Sequence, residues 1–279
     1  MSKIVLFFLI ATVTADELLK IERCSPLFAE LNTCTLVNLH YNKTNFEFMA
    51  HYDPVSTLKV RVLNSSLPKL GKNGICMTKY SSSTDLSITE LDLKNAEIEE
   101  ILPTAFENCV ALQKINLKNN KIAILEPETF SKNRELQIID LTSNLIRSLH
   151  DKIFADLTNL KELRLCNNFL VEFEPQLIAN CVNLETLRLD SNELFDLKVQ
   201  KITKNENLKT IAFNNNQLRC AKMRKIEENL REKNIFVDPE YEGRAKIIPT
   251  NDSQMLCLDD IAWTAAHYVF MYDKETTDD

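Results

Sequence analysis

Only three glycines, Gly71, Gly74 and Gly243, occur among 279 residues. No glycine-rich loop is available to wrap the phosphates of a nucleotide, and several enzyme classes are excluded with it. Histidine is almost as scarce, with His40, His51, His150 and His267 far apart in the chain. Neither a GxSxG nor an HExxH motif occurs, so no convergent catalytic set is visible; the chain reads as a non-enzyme with no cofactor. Dense basic runs are missing too. With 33 basic against 40 acidic residues and a net charge of −7, nothing in the chain neutralises phosphates in series, which sets nucleic acid aside as a partner.

Long hydrophobic runs are absent as well. The opening MSKIVLFFLIATVTAD carries Lys3, an apolar run from Ile4 to Val13 and the small residue Ala15. That run is shorter than the roughly 20 residues a spanning helix needs, and its pattern predicts a secretory signal peptide over residues 1–15, cut after Ala15. A second apolar stretch, Ile261 to Tyr272, is also too short to span, and the closing KETTDD is no lipid-anchor signal. The expectation is a secreted, extracellular protein with no membrane span in the mature chain. In that compartment the eight cysteines become candidates for disulfide bonds. The sequons at Asn42, Asn64 and Asn251 are then candidate glycosylation sites.

What the chain has in abundance is a repeat. ITELDLKNAEI from Ile88 returns as LQKINLKNNKI from Leu112, LQIIDLTSNLI from Leu136, LKELRLCNNFL from Leu160, LETLRLDSNEL from Leu184 and LKTIAFNNNQL from Leu208, at a strict 24-residue period. Ile101, Leu125, Leu149, Phe173 and Leu197 share a second apolar phase; Phe106, Phe130, Phe154, Ile178 and Ile202 share a third. This is the leucine-rich repeat pattern LxxLxLxxNxL. It predicts an α/β solenoid: a curved array with a parallel sheet on its concave side, each turn stable only when stacked on its neighbours. The phenylalanine phase is expected to fill the interior under the convex side. Asn120, Asn144, Asn168, Asn192 and Asn216 are expected to satisfy buried turn groups. The first copy has Ala96 at that position, so the asparagine ladder should begin one repeat late. Upstream, VRVLNSSLPKL looks like a degenerate unit in which Val60 and Val62 precede Leu91 and Leu93 by 31 residues, implying an insertion near YSSSTDLS.

An open stack needs its ends sealed. Cys24 and Cys34 precede the repeats, while Cys220 follows the last unit and Cys257 lies beyond a helical segment, AKMRKIEENLREKN. The placement predicts cap disulfides Cys24–Cys34 and Cys220–Cys257, although eight cysteines allow 105 pairings. Cys109 and Cys181 share a phase three units apart, about 14 Å at 4.8 Å per strand, so they cannot pair with each other. A Cys76–Cys109 bridge is expected instead, leaving Cys181 as a buried, inert thiol. The organisation is thus a signal peptide (1–15), an N-terminal cap (16–59), leucine-rich repeats (60–219), a C-terminal cap (220–258) and a tail (259–279). The tail holds the lone tryptophan, Trp263, and either docks on the last repeat or serves an oligomer contact.

On the strand face the variable positions project outward. One column runs Glu90, Lys114, Ile138, Glu162, Thr186, Thr210, and the next runs Asp92, Asn116, Asp140, Arg164, Arg188, Ala212. Such a mixed surface suits protein recognition. Candidate binding residues are Lys114, Ile138, Asp140, Leu145, Glu162, Arg164, Cys166, Phe169 and Arg188, with Ile138, Leu145 and Phe169 as apolar exceptions in a polar setting. Cys166 has two readings: a partly covered free cysteine, or an accessible thiol that links two chains through a disulfide.

The CTLVNL strand at Cys34, the VLNSSLPKL unit, GIC at Cys76, AFENC at Cys109 and the cysteine-bounded C-terminal cap carry a resemblance. The chain resembles insect extracellular leucine-rich repeat proteins, in particular the mosquito leucine-rich immune proteins and Toll-type and Slit-type ectodomains. That resemblance implies secreted or cell-surface recognition of a protein ligand or another leucine-rich repeat chain, in the setting of innate immunity. The alternative is a structural or adhesive component of the extracellular matrix or cell surface.

Overall fold

The computed structural model describes residues 59–63, 65–71 and 88–238, together with strand backbone at Leu9–Ala11, Thr33–Val37, Phe48–Ala50 and Leu58. Nine strands form one sheet in sequence order: β1 (Thr33–Val37), β2 (Leu58–Leu63), β3 (Ile88–Asp92), β4 (Lys114–Asn116), β5 (Ile138–Asp140), β6 (Glu162–Arg164), β7 (Thr186–Arg188), β8 (Thr210–Ala212) and β9 (Phe236–Val237). Each is parallel to its neighbour. From β3 to β8 the partners lie one 24-residue period apart, so Glu90, Lys114, Ile138, Glu162, Thr186 and Thr210 line up across the sheet. The degenerate unit takes its expected place, with Val60 beside Leu91.

The sheet runs one strand further at each end than the repeat pattern indicates. Thr33 pairs with Lys59, and Thr210 with Phe236. Cys34 therefore lies within β1 rather than ahead of the first strand. Leu9–Ala11 pairs antiparallel with Phe48–Ala50; it falls inside the segment expected to be a signal peptide.

Inside the coil the repeat positions form one continuous apolar cluster from Val60 to Ile235. In β6, Leu163 points inward between the outward-facing Glu162 and Arg164, and Leu165 follows it into the interior. Each such leucine contributes about 1.5–3 kcal/mol by leaving water. Under the opposite side Phe106 stacks on Phe130 at 5.9 Å and Phe130 on Phe154 at 6.4 Å; Ile178 and Ile202 take over that buried column. The backbone there runs in tight turns, which become a short 3-10 helix at Pro175–Ile178 and a single helical turn at Val199–Ile202.

The asparagines behave as the pattern requires. Asn168 donates from Nδ2 to the Leu165 and Leu141 carbonyls at 3.0 and 2.9 Å and accepts from the Ile146 N–H at 3.1 Å. It thus satisfies buried groups of its own turn and of the preceding one. Asn120, Asn144, Asn192 and Asn216 do the same. The ladder does start at Asn120, whose Oδ1 also accepts from the Ala96 N–H at 3.0 Å.

The preceding position adopts a left-handed backbone at every turn: Asn95, Asn119, Ser143, Asn167, Ser191 and Asn215 have φ between 53 and 58°. Glycine is the usual occupant of that conformation, and asparagine tolerates it better than most residues. The two serines are supported from the next turn, where Asn167 and Asn215 donate from Nδ2 to the Ser143 and Ser191 hydroxyls at 2.8 and 3.2 Å. A chain poor in glycine thus makes six left-handed turns.

After β8 a helix, α1 (Cys220–Glu232), buries Met223, Ile226 and Leu230. Their spacing of three and four places them on one stripe. It ends at the left-handed Asn234, where the Ile235 N–H bonds the Leu230 carbonyl at 2.9 Å.

Cys109 and Cys220 are each disulfide-bonded. The expected pairings Cys24–Cys34, Cys76–Cys109 and Cys220–Cys257 all involve residues outside the described ones, as do the sequons at Asn42, Asn64 and Asn251. Cys181 is free and buried. Its Sγ lies 3.6 Å from the Phe154 carbonyl, and burial pushes the thiol up to about 12, so it is inert at neutral pH. Among the described residues no helix is long and apolar enough to cross a membrane.

Candidate functional site

The outward columns of the sheet converge on a shallow cavity of about 260 Å³. It brings Lys114, Ile138, Asp140, Glu162 and Arg164 together with Lys59, Arg61, Glu90 and Asp92. Alternation along each strand explains this: the central residue of every triplet points into the core, and the two flanking residues point out.

Two kinds of charge cluster occupy the face. At the β2–β4 end one carboxylate sits between two cations. Glu90 lies 3.2 Å from Lys59 and 3.3 Å from Lys114; Asp92 lies 3.6 Å from Arg61 and 3.9 Å from Lys94. Partial burial raises the Glu90 carboxyl, but the hydrogen bonds and charges of Lys59 and Lys114 outweigh it and hold it below the usual range.

At the β5–β9 end the ratio is inverted, with one guanidinium between two carboxylates. Arg164 reaches Glu162 at 2.8 Å and Asp140 at 3.6 Å; Arg188 reaches Asp190 at 3.2 Å and Asp238 at 3.3 Å. Arg188 is penalised by burial, yet Asp190, by charge and hydrogen bond, and Asp238 stabilise its charge and raise it above its ordinary value. Asp190 itself is fully buried. The Arg188 cluster is therefore part of the frame as much as part of the surface. Between the two ends Ile138, half-buried, is an apolar position among charges.

Three expected residues sit elsewhere. Leu145 and Phe169 follow the buried Asn144 and Asn168 and lie past the turn, off the strand face. Their backbones stack in register through N–H bonds to the Ile122 and Ile146 carbonyls. Leu145 is exposed, while Phe169 is half-buried beneath the Arg147 guanidinium, 5.4 Å from the ring centre. Cys166 is the third. Its side chain is fully buried and its Sγ lies 3.1 Å from the Thr142 hydroxyl. The reading of an accessible thiol that cross-links two chains is corrected by this burial, because a disulfide requires a sulfur that another thiol can reach.

Lys59, Arg61 and Asp238 were missed as face residues. The 31-residue offset of Val60 from Leu91 was the signal for the first two, since it sets Lys59 beside Glu90 and Arg61 beside Asp92. Asp238 had no such signal, because β9 carries no LxL pair.

Comparison with known proteins agrees with this architecture. The leucine rich repeat family model matches residues 87–146 and 134–194. The crystal structure of the mosquito LRIM1/APL1C complex is similar at 24% identity and a TM-score of 0.56, over 67% of this chain and 34% of that one. The APL1 leucine-rich repeat domain matches at 23% identity and a TM-score of 0.57, over 67% of this chain and 47% of that one. The Leptospira interrogans leucine-rich repeat protein LIC12759 matches at 21% identity and 0.51, over 78% and 51%. The chain thus spans about half or less of each solved relative, and these likenesses establish the fold, a leucine-rich repeat solenoid. No curated protein matches the chain.

Proposed function

We propose that this leucine-rich repeat solenoid is a secreted binding module that docks a protein partner on its strand face, in innate immunity, with no catalytic chemistry. The observation that carries the reading is the contrast between a fixed interior and a varied outer column that opens onto one 260 Å³ cavity. A half-buried apolar residue ringed by charged groups is the arrangement expected of a binding anchor, and Ile138 has that position. The solved LRIM1/APL1C and Toll–Spatzle structures are complexes, and the same use of the fold is the one proposed here. The signal peptide, the sequons and the cap disulfides belong to this reading, with the partner either an unrelated protein or another leucine-rich repeat chain.

The test immobilises the secreted chain and its Ile138→Asp variant, matched for circular dichroism, and asks which retains a discrete soluble protein from extracellular fluid. Retention by the wild type and at least tenfold loss in the variant is the expected result. Equal retention by both overturns the strand-face assignment. Recovery of the chain only in a detergent-insoluble pericellular fraction, with no soluble partner, supports the structural or adhesive alternative.

A further inference from the structure

We propose that the strand face is electrically polarised along the solenoid and binds an acidic protein segment, seated over the β2–β4 end and turned away from the β5–β9 end. The proposal rests on the strand-face reading above and adds the chemistry and direction of the partner.

The ratio of charges is inverted between the two ends. Among the described residues, Lys59, Arg61, Lys94 and Lys114 surround two carboxylates, whereas Asp140, Glu162, Asp190 and Asp238 surround two guanidinium groups. Lys59 and Lys114 around Glu90 make a group with a formal excess of one positive charge, and Asp140 and Glu162 around Arg164 a group with a formal excess of one negative charge. The cations of the first cluster are accessible, with side chains 43 to 49% exposed. The carboxylates of the second are recessed, at 23% or less.

This cationic patch belongs to a chain of net charge −7, so it is local and runs against the overall field. A strand row is about 4.8 Å deep, so the eight rows from β2 to β9 span on the order of 34 Å. About ten extended residues cover that distance at 3.3–3.6 Å each. A carboxylate arriving between Lys59 and Lys114 meets two cations at once and shares them with Glu90. The same carboxylate at the far end meets Asp140 and Glu162 and is repelled. Steering by such a field sets orientation and association rate more than final affinity. Ile138, midway, supplies the apolar contact.

The probe is a fluorescein-labelled peptide of alternating glutamate and leucine, ten residues long, measured by anisotropy against the intact secreted chain. Its lysine–leucine counterpart and a size-matched sulfated oligosaccharide are run beside it. The acidic peptide is expected to bind at least tenfold more tightly than either, with affinity falling steeply between about 50 and 200 mM salt. Lys59→Glu with Lys114→Glu should weaken it at least tenfold. Lys132→Glu with Lys204→Glu, the same charge change in exposed segments away from the strand face, should change it less than twofold. Equal binding of acidic and basic peptides, equal effects of the two double variants, or tighter binding of the oligosaccharide overturns the proposal. If the charge selectivity fails while Ile138→Asp still releases a partner, the polarity is wrong and the strand-face reading survives. If charge selectivity holds but Ile138→Asp releases nothing, the patch is real and the wider reading fails.

Discussion

The interior of the coil and its strand face are made by the same residues of the same strands, yet they differ in what they tolerate. Inward, Leu117, Leu141, Leu165 and Leu189 are identical at one position of four successive turns and all fully buried. Outward, Lys114, Ile138, Glu162 and Thr186 share one position and have little chemistry in common. The difference teaches that shape here is specified by sameness and recognition by departure from it. Stacking forces the first, because each turn's buried groups are completed by the next turn. Solvent releases the second.

The sharpest way to test that division is to remove one ladder asparagine. Asn168→Ala strands the buried Ile146 N–H, at about 1–3 kcal/mol, and removes one of the two asparagine donors from each of the Leu165 and Leu141 carbonyls, which keep Asn192 and Asn144, at about 0.5–1.5 kcal/mol each, so a loss of about 2–6 kcal/mol is expected from urea unfolding. A loss below about 1 kcal/mol would mean that the interior is less exacting than its repetition implies. Next in size is a face residue expected to break the rule. Arg188→Ala leaves the fully buried Asp190 without its guanidinium, and a cost of about 3 kcal/mol follows. Arg188 thus counts as interior by energy though it points outward.

The thiols give a smaller, pH-dependent test. Cys181 is raised by burial to about 12 from an ordinary value of 9.0, so its neutral form is favoured by folding. That contribution is complete below about pH 9 and is lost as pH rises through the folded value. Unfolding midpoints measured from pH 8 to pH 11 should fall, and fall less in Cys181→Ala. At pH 8 both Cys166 and Cys181 should resist a thiol reagent until urea is added, and a non-reducing gel should give no dimer that depends on Cys166. Smallest of all, Lys114→Glu should leave stability within about 0.5 kcal/mol of wild type, even while it alters binding. A large loss there would place the face under the same constraint as the core.

Much of the architecture was legible because stacking repeats its demands at a fixed interval. The LxL pairs, the ladder starting at Asn120 and the phenylalanine column follow from that interval alone. The ends were less legible. Beyond Leu58 and Ala212 the next partners lie 26 residues away rather than 24, and Phe236–Val237 offers no leucine pair to mark it. The full burial of Cys166 was not legible, for a local reason. It sits one residue before a left-handed turn at Asn167, in a column with Thr142, Asp190 and Asn214, all buried. Their shortness was the available clue, but the exposed-length Lys94 and Lys118 in the same column disguised it. The charge polarity was hidden because a ratio of partners belongs to neighbouring strands, and Asp238 joins Arg188 only through β9.

The asparagine that closes each turn completes hydrogen bonds begun in the turn before it. Such a molecule behaves as a ruler graduated in whole units. Inserting one further 24-residue period between β4 and β5 keeps matching ends and sets the two charged poles about one strand spacing further apart, roughly 4.8 Å. Inserting any other length leaves the graduation broken. Selection can therefore adjust the reach between the poles in discrete steps, without redesigning either one.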